Sequence, residues 1–214
     1  MNFNNYTADF NKIAKKIDSS GDYEFRYKLY PKPYSDDIHE LQNEIITEKG
    51  MKDFKISESL KQFYLTAERP HLSWQYFGHN DKNKITCGVF RPSSIYQIYD
   101  PDEEMGQAYK LIYQKYRLFD WLGETNQVYL KFYKGKSEPE LFYYITNSDT
   151  YYLMSINIKE YLNLAKETAG LYPWQEFFIA DKKFSIEQEQ EENFKEDLEL
   201  LFPKTDISLN FSLK

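Results

Sequence analysis

Three acidic side chains at alternating positions, Asp100, Asp102 and Glu104, are the first candidates for chemistry in this chain. They have the spacing of the first ligands of a calcium loop, but such a loop needs glycine at its sixth position and glutamate at its twelfth. The chain has Met105 and Leu111 there. The pattern therefore predicts the start of a solvated helix, where carboxylates interact favourably with the positive end of the helix dipole.

Metal ligands and nucleophiles are few and far apart. The histidines are His39, His71 and His79, and the last two stand at opposite ends of a predicted strand, more than roughly 20 Å from each other. With one cysteine and no close histidine pair, these residues do not have the spacing of a zinc site. Cys87 lies in an apolar run without an activating neighbour, which indicates a buried structural thiol. We expect no metal site.

Short motifs of enzymes and nucleotide-binding proteins do not occur in the sequence. It lacks the glycine-rich phosphate loops, the nucleophile elbow of the hydrolases and the His-Glu-x-x-His zinc motif. An enzyme could still arise from dispersed carboxylates such as Asp100 and Glu124, if folding placed two of them face to face in a deep pocket. We predict that the chain is not an enzyme and binds no cofactor.

The net charge of −7 is concentrated near the C-terminus. Residues 185–201 have seven acids and one lysine, a charge of −6, and the other residues, with 27 acids and 26 bases, have a charge of −1. The seven acids are Glu187, Glu189, Glu191, Glu192, Glu196, Asp197 and Glu199. The pattern predicts an acidic amphipathic helix over residues 185–201. Because a nucleic-acid-binding protein usually carries the opposite charge, we expect no nucleic-acid partner.

The composition indicates a folded protein of the cytoplasm. The 214 residues include 20 Tyr, 16 Phe and 3 Trp, too many aromatic side chains for a disordered chain. The start lacks the basic and apolar regions of a secretion signal, the single cysteine fits a reducing compartment, and no run approaches the roughly 18 apolar residues of a membrane span. We predict one cytoplasmic domain, residues 1–214, without a membrane partner.

Helical and extended periodicities follow each other along the chain. Helices are predicted to begin at Thr7, at Asp36 or Asp37, at Ser57 and at Asn157, and residues 101–118 have helical composition. Residues 21–35 indicate an irregular or edge-strand connection. Strands are predicted at residues 71–77, 84–90, 127–133, 141–146 and 151–156. The fold class is therefore α+β, with a mainly antiparallel sheet of about 5–6 strands flanked by N-terminal and C-terminal helices.

Aromatic residues fill the strands predicted at residues 141–145 and 151–154. Alternate side chains of a strand point to opposite faces, so one set should enter the core and the other should place tyrosines on the surface. Tyrosine is enriched in protein–protein interfaces. Exposed rings also stack on the bases of single-stranded nucleic acids, but the acidic charge of the chain argues against that use.

Two segments share a pattern with a known superfamily. A helix with a polar-Leu-x-x-Phe-Tyr pattern precedes a strand, and a later Tyr-Leu helix ends near Trp-Gln. The residues are Ile56, Leu60, Phe63, Tyr64 and Trp74, then Tyr161, Leu162, Trp174 and Gln175. Over about residues 51–178 the chain thereby resembles the SUKH superfamily, which includes yeast cell-wall-assembly regulators and many bacterial immunity proteins. It departs from that pattern at Glu68, Arg69 and Pro70, where many members have an Asn-Gly turn, and in the acidic helix, which lies beyond the usual core.

The resemblance implies a cytosolic, SUKH-like α+β domain without catalytic residues that, in bacteria, often neutralises a toxin. Many such toxins act on nucleic acids and have basic clefts, which an acidic surface would complement. We therefore interpret the chain as an immunity protein whose partner is a protein, such as a basic nuclease toxin domain. The predicted partner-binding residues are Glu187, Glu189, Glu191, Glu192, Asp100, Asp102, Glu103 and Glu104. The alternative is a regulatory or scaffold module that binds a cellular partner through its aromatic sheet surface.

Overall fold

The computed structural model describes residues 3–47, 52, 54–78, 86–99, 112–181 and 184–202. Within these residues the chain forms six α-helices and two antiparallel sheets, of three and four strands. The α+β class is therefore confirmed. The single sheet of about 5–6 strands that was predicted is instead two sheets, which together have seven strands. No helix in this part of the chain is long and apolar enough to cross a membrane.

Helices occur at both ends of the chain and between the first strands. They are α1 (Tyr6–Asp18), α2 (Ser35–Thr47), α3 (Glu58–Thr66), α4 (Ile95–Tyr99), α5 (Ile158–Glu167) and α6 (Gln188–Leu201). Ser57 caps α3 by accepting a hydrogen bond from the Leu60 backbone N–H, as predicted. Asn157 caps α5 in a reciprocal capping box with Glu160. The predicted cap of α1 is wrong, because Thr7 lies inside the helix and its hydroxyl accepts a hydrogen bond from the Glu68 backbone N–H.

The strands follow a simple antiparallel order within each sheet. The first sheet has β1 (Tyr23–Tyr30), β2 (Arg69–Tyr76) and β3 (Thr86–Phe90), and the second has β4 (Tyr116–Trp121), β5 (Asn126–Lys131), β6 (Glu140–Ile145) and β7 (Thr150–Leu153). Strand β1 is a regular edge strand within the predicted connection at residues 21–35. Strand β4 begins inside the segment predicted as helical at residues 101–118, of which residues 101–111 lie outside the described residues.

The two sheets meet where the chain leaves β3. There the Ser93 backbone N–H donates to the Phe119 carbonyl at 2.7 Å, which joins the end of β3 to β4. Residues 170–172 lie along the edge of β3 that does not pair with β2, and there the Val89 N–H donates to the Gly170 carbonyl at 2.9 Å. A Cβ on Gly170 would come within 2.7 Å of the Val89 carbonyl oxygen, so this approach requires glycine. The sheets are thereby linked into one body.

One side of both sheets lies in an aromatic core. Phe10 of α1 stacks on Phe90 of β3 with ring centroids 5.3 Å apart, and Phe119 of β4 packs edge-on against Tyr161 of α5 at 5.5 Å. Trp74 of β2 is buried and donates its indole N–H to the Ala169 carbonyl at 2.9 Å. Helices α1 and α5 therefore pack on the same side of the sheets. The side chains that point the other way are exposed or half-buried in the first sheet and on β5 and β6 of the second.

Candidate functional site

The open face is the side of the sheets that points away from the core. On the first sheet, the strand register places Lys28 opposite His71, Arg26 opposite Ser73, and Glu24 opposite Gln75. Arg26 and Lys28 are exposed because they alternate with the half-buried side chains of β1 that face the core. Of these three successive cross-strand pairs, the first two are therefore basic and the third is acidic.

A basic groove crosses the open face. Its central part has a volume of about 490 Å³, and adjoining parts of about 380 Å³ and 210 Å³ share lining residues with it. We define the basic groove by the side chains of Arg26, Lys28, Arg69, His71, Arg91 and Trp121, which all line the central part. The groove thus joins strands β1 and β2, the end of β3, and β4.

Arg69 is held in the groove by an aromatic ring and a carbonyl. Its Nη1 donates to the Pro92 carbonyl at 2.7 Å and lies 3.1 Å from His71 Nε2. Its guanidinium carbon lies 4.5 Å from the centroid of the Tyr30 ring, and Lys28 Nζ lies at the same distance from that ring. Cation–π contacts of this kind position a charge without neutralising it.

Arg91 is anchored through its backbone, while its side chain lies on a ring. The guanidinium carbon lies 5.1 Å from the Trp121 ring centroid. The Arg91 backbone N–H donates to Asp120 Oδ1 at 2.7 Å, and the Tyr161 hydroxyl donates to Asp120 Oδ2 at 2.7 Å. Burial raises the pKa of Asp120 to about 7, although both hydrogen bonds and the Arg91 charge oppose this rise. Because Asp120 is fully buried behind the groove, it supports the site from the core.

The groove is electropositive. Within the described part of the chain, none of its four Arg and Lys side chains forms an ion pair with a carboxylate. Burial lowers the pKa of His71, and the positive charges of Arg69, Arg91 and Lys28 lower it further, while the contact with the Pro92 carbonyl raises it. The imidazole is therefore neutral at neutral pH, and the net charge of the groove comes from Arg and Lys.

A cluster of tyrosines continues the open face on the second sheet. The tyrosine cluster consists of Tyr116, Tyr129, Tyr144 and Tyr151, one from each strand of that sheet. Tyr116 and Tyr151 stack in parallel with ring centroids 3.8 Å apart, and Tyr144 lies 4.4 Å from Tyr151. Lys131 lies over the Tyr116 ring at 4.9 Å. The rings therefore pack on one another, and the cluster forms a cohesive, half-buried surface.

The acidic helix α6 forms a second candidate surface. It begins at Gln188, three residues later than predicted, and its apolar face buries Phe194, Leu198 and Leu201. Glu187, just before the helix, and Glu189 and Glu192 within it are exposed, whereas Glu191 is half-buried and pairs with Lys195. Asp197 faces inward and accepts a hydrogen bond from Thr86 Oγ1 at 2.9 Å. Glu187 and Glu189 border a groove of about 350 Å³ beside Tyr172 and Pro173.

The other predicted candidates have separate positions. Asp100, Asp102, Glu103 and Glu104 lie outside the described residues. Glu124 is exposed in the turn between β4 and β5, and His39 is exposed on α2. Cys87 is only half-buried, on the open face, although burial does raise the pKa of its thiol. No cluster of three metal-ligating side chains occurs among the described residues.

The basic groove was not predicted from the sequence, although a signal for it exists. Arg26 and Lys28 stand two residues apart, as do Arg69 and His71, which is the spacing that puts side chains on one face of a strand. Residues 21–35 were predicted only as an irregular or edge-strand connection, without a register, so the first pair was not placed on a face of a sheet. Comparison with known proteins adds no guidance, since no protein-family model, curated protein or solved structure matches this chain.

Proposed function

We propose that this chain is a non-catalytic protein-binding domain of the SUKH type that acts in the cytoplasm as an immunity protein. It would bind and neutralise a bacterial toxin with a basic surface, such as a nuclease. The two segments that resemble the superfamily contribute to one core, because α3 contacts α5, and Trp174 and Gln175 are buried after α5. This packing supports the resemblance, since both segments belong to a single folded unit.

The exposed acidic surface of α6 carries the proposal. Glu187, Glu189 and Glu192 form no ion pair with any described residue, so their charges act on the surroundings. An uncompensated acidic surface attracts a basic partner over a distance and raises the rate of association at low salt. The adjoining groove beside Tyr172 would accept side chains of the partner.

Co-purification with the products of adjacent genes tests this proposal. The triple change Glu187→Lys, Glu189→Lys and Glu192→Lys should weaken binding of a toxin by about tenfold or more at low salt, and less at high salt. The matched control, Asp18→Lys with Asp22→Lys and Glu40→Lys, makes the same charge change at exposed positions elsewhere. Unchanged binding by the first variant would exclude α6 as the contact, and the absence of any toxin partner would exclude the immunity role.

A regulatory or scaffold module is the second candidate function, and the tyrosine cluster favours it. Its four rings come from four neighbouring strands, contact one another and form a cohesive, half-buried surface. Binding through this surface should depend little on salt. Tyr144→Ser, in the cluster, should then weaken a complex that Tyr34→Ser leaves intact, because Tyr34 is exposed outside the cluster. A complex that salt disrupts readily would favour the acidic helix instead.

A further inference from the structure

We infer that the basic groove binds an extended, acidic segment of a partner protein. The inference rests on the proposed protein-binding function and adds the chemistry of one part of the partner. It concerns the open face, which lies apart from α6.

The charge of the basic groove is unbalanced. Four permanent cations line one groove in a chain whose net charge is −7. Like charges that share a concavity repel one another, and no described carboxylate forms an ion pair with any of them. An acidic ligand would remove this repulsion. The arrangement therefore favours carboxylates over neutral or basic groups as the occupants.

The two arginines near the aromatic rings keep hydrogen-bond donors that the chain itself does not use. Arg69 uses one guanidinium nitrogen for the Pro92 carbonyl and for the contact with His71. The Arg91 guanidinium lies against Trp121 and donates no hydrogen bond to the described residues. Both guanidinium groups thus keep N–H donors for a ligand and are already oriented by a ring. Arginine in this state binds carboxylates in a bidentate manner.

The spacing of the cations on β1 matches that of side chains on an extended peptide. Arg26 and Lys28 are alternate residues of one strand, so their side chains emerge about 6.8 Å apart. Alternate side chains of an extended peptide have the same spacing, so two carboxylates two residues apart would meet both cations. The groove follows β2 from Arg69 to Gln75, about 20 Å at strand geometry, which is enough for about six extended residues.

A peptide fits better than a single-stranded nucleic acid. The rings near the groove already carry cations, since Lys28 and Arg69 lie on Tyr30, and Arg91 lies on Trp121. In the tyrosine cluster the rings stack on one another, so faces for stacking bases are largely occupied. A continuous phosphate backbone would also meet Glu24 at the far end of the groove, whereas a peptide can carry a neutral or basic residue there.

Fluorescence anisotropy with labelled peptides tests the inference on the full chain. The probe has a Glu-Ser-Glu-Ser-Glu core, the matched probe has Gln-Ser-Gln-Ser-Gln, and a short oligothymidylate represents nucleic acid. We expect the acidic peptide to bind at least about tenfold more tightly than the neutral one, and more tightly than the oligothymidylate. Its affinity should fall as salt rises.

Charge-neutral variants locate the binding. Arg26→Gln with Lys28→Gln should weaken binding of the acidic peptide by about tenfold, because two charge-assisted contacts with its carboxylates are lost. Both side chains are exposed, so their replacement leaves no cavity in the fold. The control, Lys15→Gln with Lys61→Gln, removes the same charge from exposed positions on α1 and α3 and should change affinity less than twofold, roughly the size of a general charge effect. Equal weakening by both double variants would overturn the inference, as would tighter binding of the oligothymidylate or no preference for the acidic peptide.

A second copy of the chain is the remaining occupant to exclude, because its α6 is acidic. Sedimentation velocity should show a monomer. A dimer that the triple α6 variant abolishes would assign the groove to self-association and overturn the inference. If the wild type captures a protein partner but shows no preference for the acidic peptide, the groove assignment fails and the protein-binding function stands. If the peptide binds through Arg26 and Lys28 but no toxin is found, the groove assignment stands and only the immunity role fails.

Discussion

The basic groove and the acidic surface of α6 have opposite charges, and the chain also orders them to different degrees. In the groove, Arg69 and Arg91 are held against Tyr30 and Trp121, on strands whose register is set by their neighbours. On α6, exposed carboxylates such as Glu189 point into solvent without a described ion-pair partner. Side chains that are ordered in advance lose less entropy when a ligand binds, so the groove is better suited to select a geometry. The helix is better suited to attract a charge from a distance.

A buried aspartate supports each region from the core. Asp120 accepts hydrogen bonds from the Arg91 backbone and from the Tyr161 hydroxyl behind the groove. Asp197 accepts one from Thr86 and ties α6 to β3. Substitutions at Asp120 and Asp197, as well as in the two charged surfaces, can therefore test how the two regions differ.

Replacement of Asp120 should cause the largest effect. Asp120→Ala leaves two donors without an acceptor, the part-buried Arg91 backbone N–H and the buried Tyr161 hydroxyl, and each such group costs about 1–3 kcal/mol. We expect the free energy of unfolding, measured with urea at neutral pH, to fall by about 3 kcal/mol. Asp197→Ala removes the acceptor of the Thr86 hydroxyl and should lower it by about 1 kcal/mol. Equal losses in the two variants would show that the supports do not differ as the structure indicates.

The pH dependence of stability should reveal the same carboxyl group. The pKa of Asp120 is about 7 in the folded chain and about 3.9 in an unfolded one. The folded state therefore keeps a proton that the unfolded state has lost, and this contribution is complete at low pH and disappears as pH rises through about 7. Between about pH 5 and pH 7 we expect the stability of the wild type to fall by about 2 kcal/mol relative to Asp120→Asn.

The comparison with Asp120→Asn is necessary because His71 also makes stability depend on pH. The pKa of His71 is lowered in the folded chain, so at acid pH the unfolded chain binds a proton that the folded chain binds less readily. His71 therefore makes stability rise with pH, which is the opposite of the effect of Asp120. Both chains contain His71, so the difference between their unfolding curves reports on residue 120. If the two curves run parallel from acid to neutral pH, Asp120 does not have a raised pKa in the folded state.

The positive charge of the groove should also be measurable as a shift in the pKa of the His71 imidazole. We expect this shift to correspond to a smaller energy than the changes at Asp120. The pKa of His71, measured by NMR titration, should lie below the ordinary range because of burial and the neighbouring cations. Arg91→Gln should move this pKa upward, because one of those cations is lost. The control Lys15→Gln removes a charge from an exposed position of α1 and should leave the pKa unchanged. A pKa that stays constant in Arg91→Gln would mean that the Arg91 charge does not contribute to the lowering.

Reversal of the acidic surface should have the smallest effect on stability. The triple variant at Glu187, Glu189 and Glu192 changes exposed side chains with no described ion pair, so we expect the free energy of unfolding to change by less than about 0.5 kcal/mol. Thermal and urea unfolding measure it. A loss well above that size would mean that these carboxylates stabilise α6, and any loss of partner binding by the variant could no longer be ascribed to the surface alone.

Features of the fold that depend on residues close together in the chain could be predicted from the sequence. The starts of α3 and α5 depend on Ser57 and Asn157 and on residues within one turn of them, so a short window contains the signal. Strand β4 has no such local cause. It is defined by pairing with β5 and by a bulge that buries Phe119 and Asp120 as neighbours, and this breaks the alternation by which strands are identified.

The two charged surfaces differ in the same way. The acids of α6 are close together in the chain, so a count along the sequence finds them. The cations of the basic groove come from three separate segments that contain Arg26, Arg69 and Arg91. They meet because β1 pairs with β2 and the end of β3 joins β4, which are long-range pairings. The run of acids in the sequence therefore predicted the acidic surface of α6, whereas the negative net charge gave no sign of the basic groove.

Strand β1 also stands at the border of its sheet. Among the described residues, no strand pairs with its second edge. A free edge can add a strand from another molecule and start aggregation, and native proteins oppose this with charged side chains and prolines. Strand β1 has Arg26 and Lys28 along it and Pro31 directly after its end. We therefore expect Arg26 and Lys28 also to oppose pairing of β1 between copies of the chain, so their neutralisation should shorten the time for which concentrated protein stays in solution.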